Sequence, residues 1–374
     1  MSKGESNAGA GLRVLHGPVN VGNQPWVLSR NERALGIRSD LVVNYGTWLG
    51  YPADRIISEC AKRTPGSMLR RAAFGISAPF RYDILHYYFG RSFFCWDDYG
   101  KPNRAWFLDL HLAKKLGRKI FITLQGCDAR LSSRSAEIND FTPCKEGHCQ
   151  AVPVCRSQLD RRRQMLIEQI LPLADRVFVL NPELVRFVPG AVFLPYASVE
   201  LSRFSVSLPR TDGAIRIVHA PSDPLLKGSA YIIAAVERLQ KKYPIDFQLI
   251  KGLTHEEALK RYQDADLVID QLLAGWYGGL AVEVMAMGKP VAAYIRENDL
   301  SFVPRQLADD LPILRVRPDT IEADLEKLIL RRAEWPGWGE ASRRFVEKWH
   351  DPAIIARSMV RAYLSTDSEF LLNQ

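Results

Sequence analysis

Apolar residues fall into short continuous runs separated by longer stretches of helical period, and this alternation repeats along most of the chain. Runs at Arg13 to His16, Asp40 to Asn44, Asp83 to Tyr88, Lys119 to Leu124 and Arg176 to Leu180 predict strands, with amphipathic helices between them such as Arg104 to Leu116 and Leu159 to Leu171. Between Phe193 and Leu208 the pattern lapses into LPYASVELSRFSVSLP, a linker with Pro at both ends. A second series then begins. Its strands are Ile215 to His219, Asp246 to Ile250, Asp266 to Asp270, Pro290 to Ile295 and Ile313 to Val316, and its helices include Ala230 to Lys242, Glu256 to Gln263 and Ala281 to Met287. Strands that alternate with helices predict parallel sheets, so both halves read as doubly wound α/β domains. The last patterned stretch, Gly339 to Tyr363, spaces Phe345, Trp349, Ile354, Ile355, Met359 and Ala362 for a core face, and Pro352 splits it into two helices.

Composition narrows this picture. The chain has 374 residues, 47% of them hydrophobic and 25% charged, which excludes disorder, collagen and a disulfide miniprotein and suits two domains. Met1 to Gly11 is polar and small rather than a basic segment followed by an apolar one, and no window has the roughly 18 to 20 apolar residues of a bilayer span. A cytoplasmic chain, at most peripheral to the inner face of a membrane, is the expectation.

The net charge of +8 favours anionic partners. Between Ala61 and Asp83, Lys62, Arg63, Arg70, Arg71 and Arg81 interleave with Met68, Leu69, Phe74 and Phe80, and Arg161 to Arg163 add a further basic run. Such a segment is a solvated helix face or a contact with an anionic membrane. No nucleic-acid motif accompanies the charge, which ranks nucleic acid last among the anionic partners.

Three glycine-bearing loops carry the candidate chemistry. In RVLHGPVNVGNQPWVLSR, Gly17 and Gly22 lie between a strand and a helix, as a structural turn or as a close approach to a phosphate. In IRIVHAPSDPLLKGSAYIIAAVERL, Lys227 and Gly228 stand at a helix start beyond a strand's carboxyl end, a pattern suited to a diphosphate. In ADLVIDQLLAGWYGGLAVEVMAMGKPVAAYI, a strand ending at Asp270 leads to Gly275, Gly278 and Gly279 and then to Glu283, a carboxylate set among Ala281, Val282, Val284 and Met285. Glu283 there needs a partner, either a neighbouring Arg or Lys or the hydroxyls of a ligand.

The segments HAPSDPLLKG, EEALKRYQDADLVIDQ and GWYGGLAVEVMAMGKPV, in this order and spacing, resemble the C-terminal domain of GT-B glycosyltransferases, in particular the retaining enzymes of glycosyltransferase family 4. The resemblance implies a GT-B fold: two Rossmann-like domains facing across a cleft, with residues 1–197 binding acceptor, 198–350 binding donor, and a C-terminal helix, 351–374, crossing back. It implies that Lys227 contacts the donor diphosphate, that Glu283 holds the nucleotide ribose, and that Gly228, Tyr277, Gly278, Gly279 and Leu280 line the donor site. In the first half it places Gly22 and Asn23 near the donor phosphates and acceptor. Gln125 and Asp128 of KIFITLQGCDAR fall where many relatives have His-Gly-Ser-Asp, so Gln125 offers a hydrogen bond to a sugar hydroxyl. Asp128 either orients the acceptor hydroxyl or caps a helix.

The implied activity transfers a sugar from a nucleoside-diphosphate sugar to a glycan, lipid-linked or small-molecule acceptor with retention, as in bacterial polysaccharide or glycoconjugate synthesis. Asp128, Lys227 and Glu283 are its catalytic candidates, and no cofactor is required. Two departures stand out. The family signature has a second glutamate, which falls here on Gly275, and the arginine many relatives carry before the lysine is replaced by Pro221-Ser222-Asp223-Pro224. They motivate an alternative, an altered GT-B protein that binds nucleotide or sugar without transfer. A third reading is a metal-stabilised module acting on RNA or a membrane.

Cys127, Cys144, Cys149 and Cys155, with His148, cluster without the spacing of common zinc ribbons. They are free thiols or a structural Zn²⁺ site.

Overall fold

The computed structural model describes residues 11–46, 50–58, 64–95 and 105–365. Among these, β1 (Arg13–Gly17), β2 (Arg38–Tyr45), β3 (Arg55–Ser58), β4 (Ile84–Tyr88), β5 (Lys119–Leu124), β6 (Arg176–Val179) and β7 (Val192–Phe193) form one sheet in the order β3-β2-β1-β4-β5-β6-β7. Every pairing in it is parallel. A second parallel sheet, of β8 (Ile215–His219), β9 (Ile245–Leu249), β10 (Leu267–Ile269), β11 (Val291–Ala293) and β12 (Leu314–Arg315), has the order β12-β11-β10-β8-β9.

All ten expected strands form. The pattern did not predict β3 and β7, the two edge strands of the first sheet. They have four and two residues and too few apolar positions to declare a period. β10 and β11 are shorter than expected, and Pro290, without an N–H, stands just before β11. The helix expected from Arg104 spans Leu108–Lys115, because Phe107 before it takes φ +56°, outside helical space. Arg104 itself lies outside the described residues.

Contacts divide the chain into two compact units, each built on one sheet. The first takes residues 1–131, 157–198 and 352–374, and the second takes 132–156 and 199–351. The cysteine-bearing segment 132–156 therefore packs with the second sheet although its sequence neighbours belong to the first.

Helix Trp335–Trp349 packs on helix Gly279–Ala286 of the second unit, where the Arg343 guanidinium donates to the Ala286 carbonyl at 2.6 Å. Helix Pro352–Leu364, after the break that Pro352 imposes, supplies Ile355, Ala356, Met359, Ala362 and Tyr363 to the core of the first unit beside Val14, Leu28, Phe121 and Phe178. The first and last of the described residues thus belong to the same unit.

That core encloses a polar chain. His16 shares hydrogen bonds with Tyr88 Oη and Glu32 Oε2, each at 2.8 Å, while Ser39 Oγ donates to Glu32 Oε2 at 2.6 Å. Tyr363 Oη donates to Glu32 Oε1 at 3.0 Å and lies 2.9 Å from His86 Nδ1. Buried polar atoms are tolerable only when partnered, and this chain partners groups from three strands and two helices.

Candidate functional site

The strand order of the second sheet reverses direction between β8 and β10, and in parallel sheets ligands bind beyond the carboxyl ends of strands at such a point. β8 ends at His219. Its buried ring bonds the Ile269 carbonyl and Ser229 Oγ, both at 2.8 Å, and burial pushes its pKa down to about 4. A neutral His219 therefore ties β8, β10 and helix Ser229–Leu239 together at the edge of the site.

Asp223 then accepts the Leu225 and Leu226 amides at 3.0 and 3.2 Å, closing the turn that delivers Lys227. Lys227 Nζ lies 3.2 Å from Asp270 Oδ1 and 2.5 Å from Gln271 Oε1, both just beyond β10. The other oxygen, Asp270 Oδ2, accepts the Gly278 amide at 2.6 Å. An ammonium carries three N–H donors, and two are engaged here.

Gly278 packs tightly here: a Cβ there would lie 3.2 Å from Lys227 Nζ and 3.3 Å from Asp270 Oδ2. Helices Ser229–Leu239 and Gly279–Ala286 both begin beside the lysine, with Gly228 and Gly278 as N-caps and no side-chain cap on either. By contrast, helix His255–Asp264 has a full capping box from Thr254 and Glu257. Helix starts without side-chain caps beside an ammonium are an arrangement that favours anions in general.

Glu283 sits in the second turn of helix Gly279–Ala286, half-buried, with Oε1 3.0 Å from His255 Nε2. Its partner in the free protein is thus neither of the expected cations but a histidine from the start of a neighbouring helix. The hydrogen bond to Glu283 raises the pKa of His255.

Gly275, where the family resemblance places a second glutamate, has φ +74°. A Cβ on it would come within 2.6 Å of the Arg296 guanidinium, which is itself held by Asp299 Oδ2 at 2.8 Å and the Phe141 carbonyl at 2.9 Å. Tyr277 points its hydroxyl to His350 Nε2 at 2.9 Å and is fully buried, so its loop offers backbone rather than this side chain to the pocket. Leu280 is half-buried in the first turn of the helix.

The first sheet reverses between β1 and β4. After β1, Gly22 and Asn23 take φ +63° and +59°, and Asn23 begins helix Gln24–Ala34 without a side-chain cap. Gln125, after β5, joins this loop by donating Nε2 to the Val21 carbonyl at 3.4 Å. Asp128 caps no helix. Its carboxylate accepts the Gly126 amide at 2.6 Å and the Gln125 amide at 2.9 Å, locking the turn that carries Gln125, and burial pushes its carboxyl up.

Sequence pattern missed one feature of this loop. Asn20 Oδ1, Asn23 Oδ1, Gln24 Nε2 and Asn44 Oδ1 are buried with no hydrogen-bond partner. Their only sequence signal is amides gathered at a glycine turn and a strand end. Each orphaned group costs roughly 1–3 kcal/mol, a cost a polar ligand can offset.

Of the two readings of Cys127, Cys144, Cys149 and Cys155, the structure gives the zinc site no support. Among the described residues no three His, Cys, Asp or Glu side chains are placed to hold a metal ion. Cys127 belongs to the first unit, exposed and 3.9 Å from an Arg130 nitrogen, whereas the other three belong to the second. His148 bonds the Thr142 carbonyl at 2.9 Å and Tyr231 Oη at 3.4 Å instead of joining the thiols.

No protein-family model and no curated protein matches the sequence. Solved structures do match in fold. One is sucrose-phosphate synthase from Thermosynechococcus elongatus, with TM-score 0.61 and 17% identity over 94% of this chain and 98% of that one. Another is Anabaena HepE in complex with UDP and glucose, with TM-score 0.57 and 10% identity over 94% and 99%. UDP-GlcNAc 2-epimerase from Neisseria meningitidis bound to UDP-GlcNAc matches with TM-score 0.51 and 10% identity over 94% and 99%. What the chain shares with them is the fold: two parallel α/β units of the GT-B class with a helical C-terminus.

Proposed function

We propose that the protein is a retaining glycosyltransferase that takes its sugar from a nucleoside-diphosphate donor. The observation that carries this reading is Lys227 beside two helix starts without side-chain caps at the strand reversal of the second sheet. A diphosphate there meets a cation and free amides, and the same groups stabilise the charge that grows on it as the bond to the sugar breaks. Glu283 keeps one carboxylate oxygen outside its bond to His255 and is assigned to the ribose hydroxyls. The Gly278 amide is taken by Asp270, so the loop amides assigned to phosphate or sugar are those of Gly279 and Leu280.

The acceptor is a glycan, a lipid-linked sugar or a small molecule, met by the first unit through Gly22, Asn23, Gln125 and Asp128. Asp128 acts there by holding the Gln125 turn in place. The setting is cytoplasmic, with polysaccharide or glycoconjugate synthesis as the process. Among the described residues no helix is long and apolar enough to cross a membrane.

One observation favours a second reading, a GT-B protein that binds nucleotide or sugar without transferring it: Arg296 closes off Gly275, leaving no carboxylate at that point of the pocket. Incubation with a panel of UDP- and GDP-sugars separates the two. Slow release of free nucleotide, lost in Lys227→Ala, supports transfer chemistry. Tight nucleotide binding with no turnover for any donor and acceptor supports the second reading.

A further inference from the structure

We propose that the outer face of helix Pro65–Arg81 docks on an anionic lipid bilayer. The helix buries Arg71, Phe74, Gly75 and Ala78 against its own unit. Its opposite face is also apolar: Leu69, Ile76 and Phe80 are 70%, 48% and 59% exposed, with exposed Ala73 between them. Spacings of seven and four residues put these side chains on one stripe, where water rather than protein now covers them. Isolated exposed apolar residues need no explanation, but three bulky ones along one helix stripe mark an interaction surface.

Charge identifies the occupant. The seventeen-residue helix contains three arginines and no acidic residue. Arg70 and Arg81 are exposed and form no ion pair among the described residues. A second copy of the chain meeting this face about a two-fold axis would oppose arginine to arginine. An anionic bilayer instead accepts the leucine, isoleucine and phenylalanine at the acyl boundary while the guanidinium groups reach the lipid phosphates. Lys62 and Arg63, which extend the basic run in the sequence, lie outside the described residues. One short apolar stripe gives reversible attachment rather than permanent anchoring.

The test uses the full chain and sedimentation with vesicles of phosphatidylcholine alone or mixed with phosphatidylglycerol. The protein is expected to sediment with the anionic vesicles only, and the bound fraction should fall as salt rises from about 0.1 M to about 1 M. Arg70→Glu with Arg81→Glu should weaken binding at least about tenfold. Leu69→Ser with Phe80→Ser should weaken it comparably while leaving thermal stability and nucleotide binding unchanged, because both side chains are mostly in water. Sedimentation with neither vesicle overturns the proposal, as does equal binding to both. A lipid-independent dimer broken by Phe80→Ser assigns the face to a second copy instead. None of these outcomes depends on sugar transfer, so docking and transfer stand or fall separately.

Discussion

Lys227 Nζ and Asp270 Oδ1 lie 3.2 Å apart, and the second oxygen of Asp270 accepts the Gly278 amide. Asp270 is fully buried and Lys227 partly so, which makes the pair the lock of the free site. A ligand diphosphate must share the ammonium with Asp270. The arrangement predicts that the two residues differ in effect: Lys227 supplies attraction, whereas Asp270 positions it.

Asp270→Asn keeps an acceptor for the Gly278 amide but removes the negative charge beside the ammonium. Nucleoside diphosphate binding should persist, and thermal denaturation should show a loss of roughly 3 kcal/mol from breaking a buried pair. Unchanged stability would mean the pair is not closed in solution.

Gly275→Ala should cost about 3 kcal/mol, because the new methyl meets the Arg296 guanidinium at 2.6 Å and φ is +74°. With Arg296→Ala as the background only the backbone strain is left, about 1 kcal/mol. Urea denaturation of the four proteins in a double-mutant cycle measures the difference. Strict additivity would contradict the geometry.

His219 is held neutral, its pKa pushed down to about 4 by burial. Because this folded value lies below the unfolded value of about 6.5, its contribution is intact above about pH 6.5. It is lost as pH falls toward 4, by about 1.4 kcal/mol per pH unit. His86, fully buried among Tyr88, Thr123 and Tyr363, is shifted the same way and adds to the loss. His219→Asn should therefore flatten the stability profile between pH 6.5 and 4. A variant as steeply acid-sensitive as the parent would show that other groups govern this range.

Glu283→Gln should lower the pKa of His255, since the hydrogen bond to that carboxylate is the main cause of its elevation. An NMR titration of the His255 ring reads this directly, and an unmoved midpoint would mean the two side chains do not meet.

Tyr363→Phe removes the hydroxyl that joins Glu32 to His86, leaving buried partners unmet at a cost of roughly 1–3 kcal/mol in urea denaturation. A neutral effect would show that the C-terminal helix is held by its apolar face alone.

The alternation of apolar runs made the central strands legible, since a buried parallel strand must be continuously apolar whatever its neighbours. Edge strands β3 and β7 were not, because half-covered short strands carry no such demand. Lys227, Gly278 and Glu283 each stood out at a glycine-bearing strand-to-helix turn, and the resemblance to GT-B glycosyltransferases joined them into one candidate group. Their partners were not: Asp270 was read only as a strand end, and His255 lies 28 positions from Glu283. Arg296 was equally hidden, since nothing in the sequence says that its guanidinium lies across Gly275. The cysteines misled for the converse reason. Closeness along the chain suggested a cluster, but tertiary packing sends Cys127 to one unit and Cys144, Cys149 and Cys155 to the other.

The central claim is that Lys227 and the uncapped helix starts beside it hold a nucleoside diphosphate. Calorimetric titration of UDP and GDP into the protein and into Lys227→Ala tests it most directly. The account predicts saturable binding of at least one of them by the parent and at least about tenfold weaker binding by a folded variant. Equal affinity in both proteins, or no binding by the parent, would contradict it.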